Sequence, residues 1–148
     1  MDSIATLPNA DMMQKITMID AAIGSMPQMD MTPFHHFAKG LYCRELHIPQ
    51  GALISGKIHK QEHIIILFTG EMTLWTEGGE RIRVKAPYFG ISPAGTKRLG
   101  YAHENTIGMN ILATECTDPE EIEDTLTCCS FEEYEQYLIA AKEVPCLG

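Results

Sequence analysis

A chain of 148 residues with 45% hydrophobic content has room for one domain with its own core and little more. Its 11 basic residues against 20 acidic ones leave a formal charge of −9, which repels nucleic-acid phosphates and anionic membranes and excludes both as expected partners. The five cysteines are an odd number without zinc-finger spacing. With no amino-terminal signal and no membrane-length apolar run, they predict a cytoplasmic protein with plain thiols, the vicinal Cys128 and Cys129 included.

Residues 1–33 read as an amino-terminal helix and arm. Asp11 is placed to cap a helix that carries Met12, Met13, Ile16, Ile19 and Ile23 on roughly one side. Gly24-Ser25-Met26-Pro27 and then Thr32-Pro33 read as an extended linker.

From residue 34 to residue 114 the pattern becomes β. Turn signals at Gly40, Pro49-Gln50-Gly51, Gly56, Gly70, Pro87 and Pro93-Ala94-Gly95 recur at intervals of roughly 8–12 residues, the spacing of an all-β sandwich or barrel. No helical pattern separates the strands, so a parallel α/β sheet is not expected. His35 and His36 are adjacent and, in an extended chain, point to opposite faces. Thr73-Leu74-Trp75-Thr76 and Arg81-Ile82-Arg83-Val84 flank Glu77-Gly78-Gly79-Glu80 as a hairpin. Arg81, Arg83 and Lys85 alternate with apolar residues, which is the pattern of a solvated strand face.

Residues 115–148 form an acidic extension. It runs through Asp118-Pro119-Glu120-Glu121-Ile122-Glu123-Asp124 to a helix after Ser130. There, Ser130-Phe131-Glu132-Glu133 has capping-box spacing and Phe131, Tyr134 and Leu138 recur at helical intervals.

The stretch from Lys57 to Gly70 carries the chemistry. His59 and His63 lie four positions apart at the entrance to Ile64-Ile65-Ile66-Leu67-Phe68, a short β-branched run that ends at a glycine. A modest bend at Lys60-Gln61-Glu62 lets both rings point inward. Two imidazoles converging on one cavity suggest a divalent metal ion.

With these strands and turns placed, the centre of the chain resembles a cupin, the small RmlC-like β-barrel. That family's first motif corresponds to Lys57-Ile58-His59, three residues, His63, six residues and Gly70. Lys57 stands at the family's first histidine and His63 at its glutamate. The second motif corresponds to Pro93-Ala94-Gly95-Thr96-Lys97-Arg98, with Arg98 in the place of a histidine. The wider texture is similar to small cupins encoded by phages and prophages. The resemblance implies an antiparallel jelly-roll barrel with short terminal helices, and a homodimer or a higher oligomer built from dimers. Met12, Met13, Ile16, Ile19 and Ile23 also need an apolar surface to cover, so the amino-terminal segment is expected in that contact.

His103, which follows a turn and precedes the Ile107-Met109-Ile111 strand, is the candidate third ligand beside His59 and His63. The ion would be zinc, iron, manganese or nickel, since imidazoles without a thiolate suit all four. Lys57 and Arg98 are candidate partners for a substrate anion, and Trp75 and Tyr101 candidate pocket walls. Glu62, Glu104 and Tyr101 are the candidate catalytic groups. Two functions follow. One is a metal-dependent enzyme acting on a small polar or anionic molecule by isomerase, lyase or dioxygenase chemistry. The other is a non-catalytic cupin serving as a ligand-binding or structural module.

Overall fold

In the computed structural model, which describes residues 10–26, 29–76 and 80–143, the β-rich centre folds into two antiparallel sheets that share one core. The first sheet holds β1 (Phe34–Ala38), β2 (Leu41–Ile48), β5 (His63–Thr69), β8 (Tyr88–Ser92) and β10 (Thr106–Ala113), in the order β1-β2-β10-β5-β8. The second holds β3 (Leu53–Ser55), β6 (Glu71–Thr76), β7 (Arg81–Lys85) and β9 (Arg98–Ala102), in the order β3-β9-β6-β7. A short ladder joins β4 (Ile58–His59) to β11 (Thr127–Cys128). This is an all-β barrel, one of the two architectures that the turn spacing predicts, and of the jelly-roll type that the resemblance implies. The hairpin also forms, with Trp75 opposite Arg81, although residues 77–79 of its turn lie outside the described residues.

Strand alternation decides which side chains reach the interior. Ile48 of β2, Leu67 of β5, Met72 and Leu74 of β6 and Ala102 of β9 meet in one buried cluster. Between β5 and β6 the chain reverses at Gly70, with φ at 92°. A Cβ there would meet the Asn105 carbonyl oxygen at 2.7 Å and run into the Thr106 side chain, so the position accepts only glycine.

The helices differ in part from the expectation. The first, α1 (Ala10–Ser25), has Asp11 inside its first turn, where a carboxylate suits the helix dipole. It continues through Gly24 and Ser25, which the linker was expected to include. Ser25 Oγ donates to the Ala22 carbonyl at 2.7 Å in its last turn. The helix lies on its own barrel: Ile16 is buried and Ile23 half-buried, while Met18 and Ile19 face out. Asp20 fixes it there, accepting from Ser55 Oγ and pairing with the buried Lys97 through Nζ at 2.6 Å. The side chains of Met12 and Met13, and residues 27–28, lie outside the described residues.

The acidic run forms a helix of its own, α2 (Pro119–Leu126). Asp118 caps it, accepting from Glu120 N at 3.0 Å, and Pro119 opens it, an arrangement strong enough to nucleate a helix in a highly charged segment. Ile122 anchors it against Tyr42 and Leu112. The following α3 (Phe131–Glu143) begins as the capping box predicts, with Ser130 Oγ accepting from Glu133 N at 3.1 Å. The Glu133 carboxylate reaches back to Cys129 N at 2.9 Å. Tyr134 of α3 lies over Gly95, where a Cβ would meet its ring at 2.7 Å.

Among the described residues, Cys43, Cys116, Cys128 and Cys129 are free thiols, and no helix is long and apolar enough to cross a membrane. Replacing Gly70 with Ala is expected to cost about 2–3 kcal/mol, because it adds both a strained φ and a backbone clash. Urea unfolding reads this as a lowered midpoint at unchanged slope, and a midpoint equal to that of the wild type would contradict it.

Candidate functional site

A cavity of about 360 Å³ lies within the barrel, bounded by strands of both sheets. Its polar side chains arrive by alternation. His59 ends β4, the chain bends at Lys60 and Gln61, and His63 opens β5. The bend brings the two imidazoles together, with ring centroids 4.0 Å apart and planes inclined by 32°. His63 Nδ1 donates to the Gln61 carbonyl at 3.3 Å, which fixes the proton on Nδ1 and leaves Nε2 with its lone pair. His59 Nδ1 is buried without a hydrogen-bond partner.

Both rings are neutral near pH 7. Burial pushes His59 down to about 4, and neighbouring His63, Arg44 and Arg98 push the same way. His63 is lowered chiefly by burial, with Arg98 adding to the effect and the Gln61 carbonyl opposing it. The guanidiniums are therefore close enough to act on the histidines electrostatically. Arg44 reaches the cavity from β2, opposite Asn110 of β10, and Arg98 reaches it from the start of β9. Lys57 stands at the rim, its Nζ 2.5 Å from Glu123 Oε1 of α2. That contact raises the lysine pKa and lowers that of the glutamate. No aspartate or glutamate lines the cavity among the described residues.

The residues singled out from sequence divide along the strand faces. His59, His63, Lys57 and Arg98 all line the cavity. His103 does not. It follows β9 on the outer side of the second sheet, with Nε2 2.7 Å from Thr73 Oγ1 and its ring edge-on to Tyr101 at 5.0 Å. Tyr101 pairs with Thr73 and so shares that outer face, since the cavity side of β6 is taken by Met72 and Leu74. Trp75 lies outward for the same reason of parity. Glu62 and Glu104 are exposed, Glu62 in the bend and Glu104 in the turn before β10, away from the cavity lining. The adjacent His35 and His36 do face opposite ways. His35 Nδ1 bonds Tyr42 Oη at 2.6 Å, and His36 Nε2 lies 3.0 Å from Glu45. Arg44 and Asn110 are cavity residues that sequence reasoning passed over. The signal available was the period-two series Arg44, Leu46, Ile48, which places an arginine in line with two core residues.

The three-histidine metal set therefore does not assemble. Among the described residues no group of three histidine, cysteine, aspartate or glutamate side chains is arranged to hold an ion. Arg44 and Arg98, which act on the His59 imidazole electrostatically, would repel one. Two imidazoles flanked by guanidiniums do not fit a resident divalent cation.

No family model matches the sequence, and neither does any curated protein. Solved structures do share its fold. One is a cupin superfamily protein from Desulfitobacterium hafniense DCB-2, at 8% identity and a TM-score of 0.50 over 60% of this chain and 82% of that one. Another is KdgF from Halomonas sp., at 14% identity and 0.50 over 60% of this chain and 84% of that one. A third is the DMSP lyase DddQ from Ruegeria pomeroyi DSS-3, at 14% identity and 0.51 over 60% of this chain and 49% of that one. At such identities the likeness is one of fold, and the fold is that of the cupins.

The buried imidazole makes stability depend on pH. With the folded His59 near 4 and its ordinary value at 6.5, the unfolded chain binds a proton between these values that the folded chain does not. Stability therefore rises with pH across this window and is lost on acidification, by up to about 3 kcal/mol. Urea unfolding at about pH 7 and about pH 4.5 is expected to show a smaller loss for His59→Gln than for the wild type. Equal losses would place the titration elsewhere.

Proposed function

We propose that this cupin-fold chain binds a small oxyanion-bearing molecule in the barrel cavity, with His59 and His63 as neutral imidazoles that accept its hydrogen bonds or its proton. One observation carries the reading: Arg44, Lys57 and Arg98 line the cavity and no carboxylate does among the described residues. Guanidiniums that line a cavity can hold a bound oxyanion through charge-assisted, often bidentate, hydrogen bonds. The His63 Nε2 lone pair and the unpartnered His59 Nδ1 give the bound molecule neutral acceptors beside its anion.

An enzyme would use one of these nitrogens as a general base; a ligand-binding module would use both only as hydrogen-bond acceptors. Lys57 is a weaker candidate for the anion than the guanidiniums, because an ammonium lacks their bidentate fork and Glu123 holds it at the rim. In calorimetric titration with small carboxylates, Arg98→Ala is expected to weaken binding tenfold or more with the thermal midpoint little changed, and Lys57→Ala to weaken it far less. Binding indifferent to Arg98 would overturn the reading, as would elemental analysis finding a divalent ion near one equivalent per chain.

We also propose a homodimer through the outer face of the first sheet. The register aligns Ile111, Ile64 and Ile91 in one outward row and Met109, Ile66 and Phe89 in the next. Phe89 is 76% exposed, Ile91 64% and Phe68 63%, a contiguous apolar patch of the kind that marks an interface. A second copy suits it because the face is self-complementary, with protruding rings beside an apolar hollow lined by Phe68, Pro87 and Phe89. In a chain of charge −9, the part of this face on β10, β5 and β8 carries no charge, with Glu45 of β2 at its border, so it is also where two copies repel each other little. The inward packing of Ile16 and Ile23 moves the expected contact away from the amino-terminal helix. Light scattering is expected to show a dimer that Phe89→Glu converts to monomer; a monomeric wild type at micromolar concentration would refute it.

A further inference from the structure

The strand register sorts the cavity lining by depth. On β2 the inward residues run Arg44, Leu46, Ile48, and on β10 beside them Asn110, Gly108, Thr106. On β5 they run His63, Ile65, Leu67. In the opposite sheet β9 runs Arg98, Gly100, Ala102, paired with Thr76, Leu74, Met72 of β6. Every one of these series begins with a polar side chain. The polar ends coincide, since Arg44 and Arg98 both act on His59, and so do the apolar ends, since Ile48, Leu67, Met72, Leu74 and Ala102 form one cluster. The cavity thus has a cationic and imidazole rung at one end and an aliphatic floor at the other, with room left at Gly108, while Met72 and Leu74 pack against Gly100.

We propose that the ligand is an amphipathic oxyanion: a carboxylate-type head held at Arg98 and Arg44, beside the two imidazoles, joined to an aliphatic body of several carbons that extends toward Leu67, Leu74 and Met72. This rests on the anion-binding reading above and adds the class of molecule. A fully polar anion would leave the floor wet and gain nothing from it, whereas each methylene laid against it is removed from water.

The test is calorimetric titration of the full chain with acetate, butanoate and hexanoate, with hexanamide as the neutral counterpart of hexanoate. Affinity is expected to rise about fourfold per added methylene, and hexanamide to bind at least tenfold more weakly than hexanoate. Leu67→Phe, checked for folding by its thermal melt, should penalise hexanoate more than acetate. If acetate and hexanoate bind equally and both weaken in Arg98→Ala, the aliphatic body is overturned while the anion site stands. Hexanamide matching hexanoate overturns the head assignment, and failure of every carboxylate to bind overturns both readings. The wild-type series decides the matter even if the variant does not fold.

Discussion

Two imidazoles are buried side by side in a cavity that Arg44 and Arg98 also line and that no carboxylate lines among the described residues. Neither holds a proton near neutral pH: desolvation, His63 and two guanidiniums disfavour the charged form of His59, and desolvation and Arg98 that of His63. Arginine does not deprotonate, so the imidazoles yield and the guanidiniums stay charged. The polar end of the cavity is therefore a fixed positive field with neutral acceptors inside it. Such a field suits an incoming anion and opposes a metal cation. Arg44 and Arg98 give the field that sign.

The same strands that deliver these groups also create the outer apolar face. In β5 the inward set His63, Ile65, Leu67 and the outward set Ile64, Ile66, Phe68 are apolar apart from the histidine. A strand buried on one side alone would alternate apolar with polar. One apolar on both sides has two surfaces to cover, and the barrel interior covers only one of them. The cavity and the proposed interface are thus two consequences of one strand, and a single-residue slip in its register would exchange them.

That duality also explains what could and could not be read from the residues alone. The strand at Ile64-Phe68, the hairpin around residues 77–79 and the cap at Ser130 each carry a local signature, and the barrel followed from their spacing. Parity did not follow, because a run that is apolar at every position gives no sign of which half faces in. Tyr101, Trp75 and His103 were read as cavity residues by their chemistry and lie outward by their register. The α2 helix was hidden for a different reason. Its composition is that of a solvated loop, and its Asp118-Pro119 start outweighs that composition only because Ile122 finds a place between Tyr42 and Leu112.

The carboxy-terminal extension then has a role at the site. Through β11 it pairs with β4, the strand that ends in His59, and Lys60 N donates to the Leu126 carbonyl at 2.8 Å. Lys60 Nζ bonds the Thr125 carbonyl and lies 4.6 Å from the centre of the Tyr137 ring. Glu123 holds Lys57 on the other side of His59. The short segment from Lys57 to Lys60 is therefore fixed at both ends by α2, β11 and α3, and this segment positions the imidazole with the unpartnered nitrogen. Rigid placement matters most for a group with an unpartnered polar atom: with no hydrogen bond to orient Nδ1, the backbone on either side and the His63 ring must set the ring that a ligand would meet.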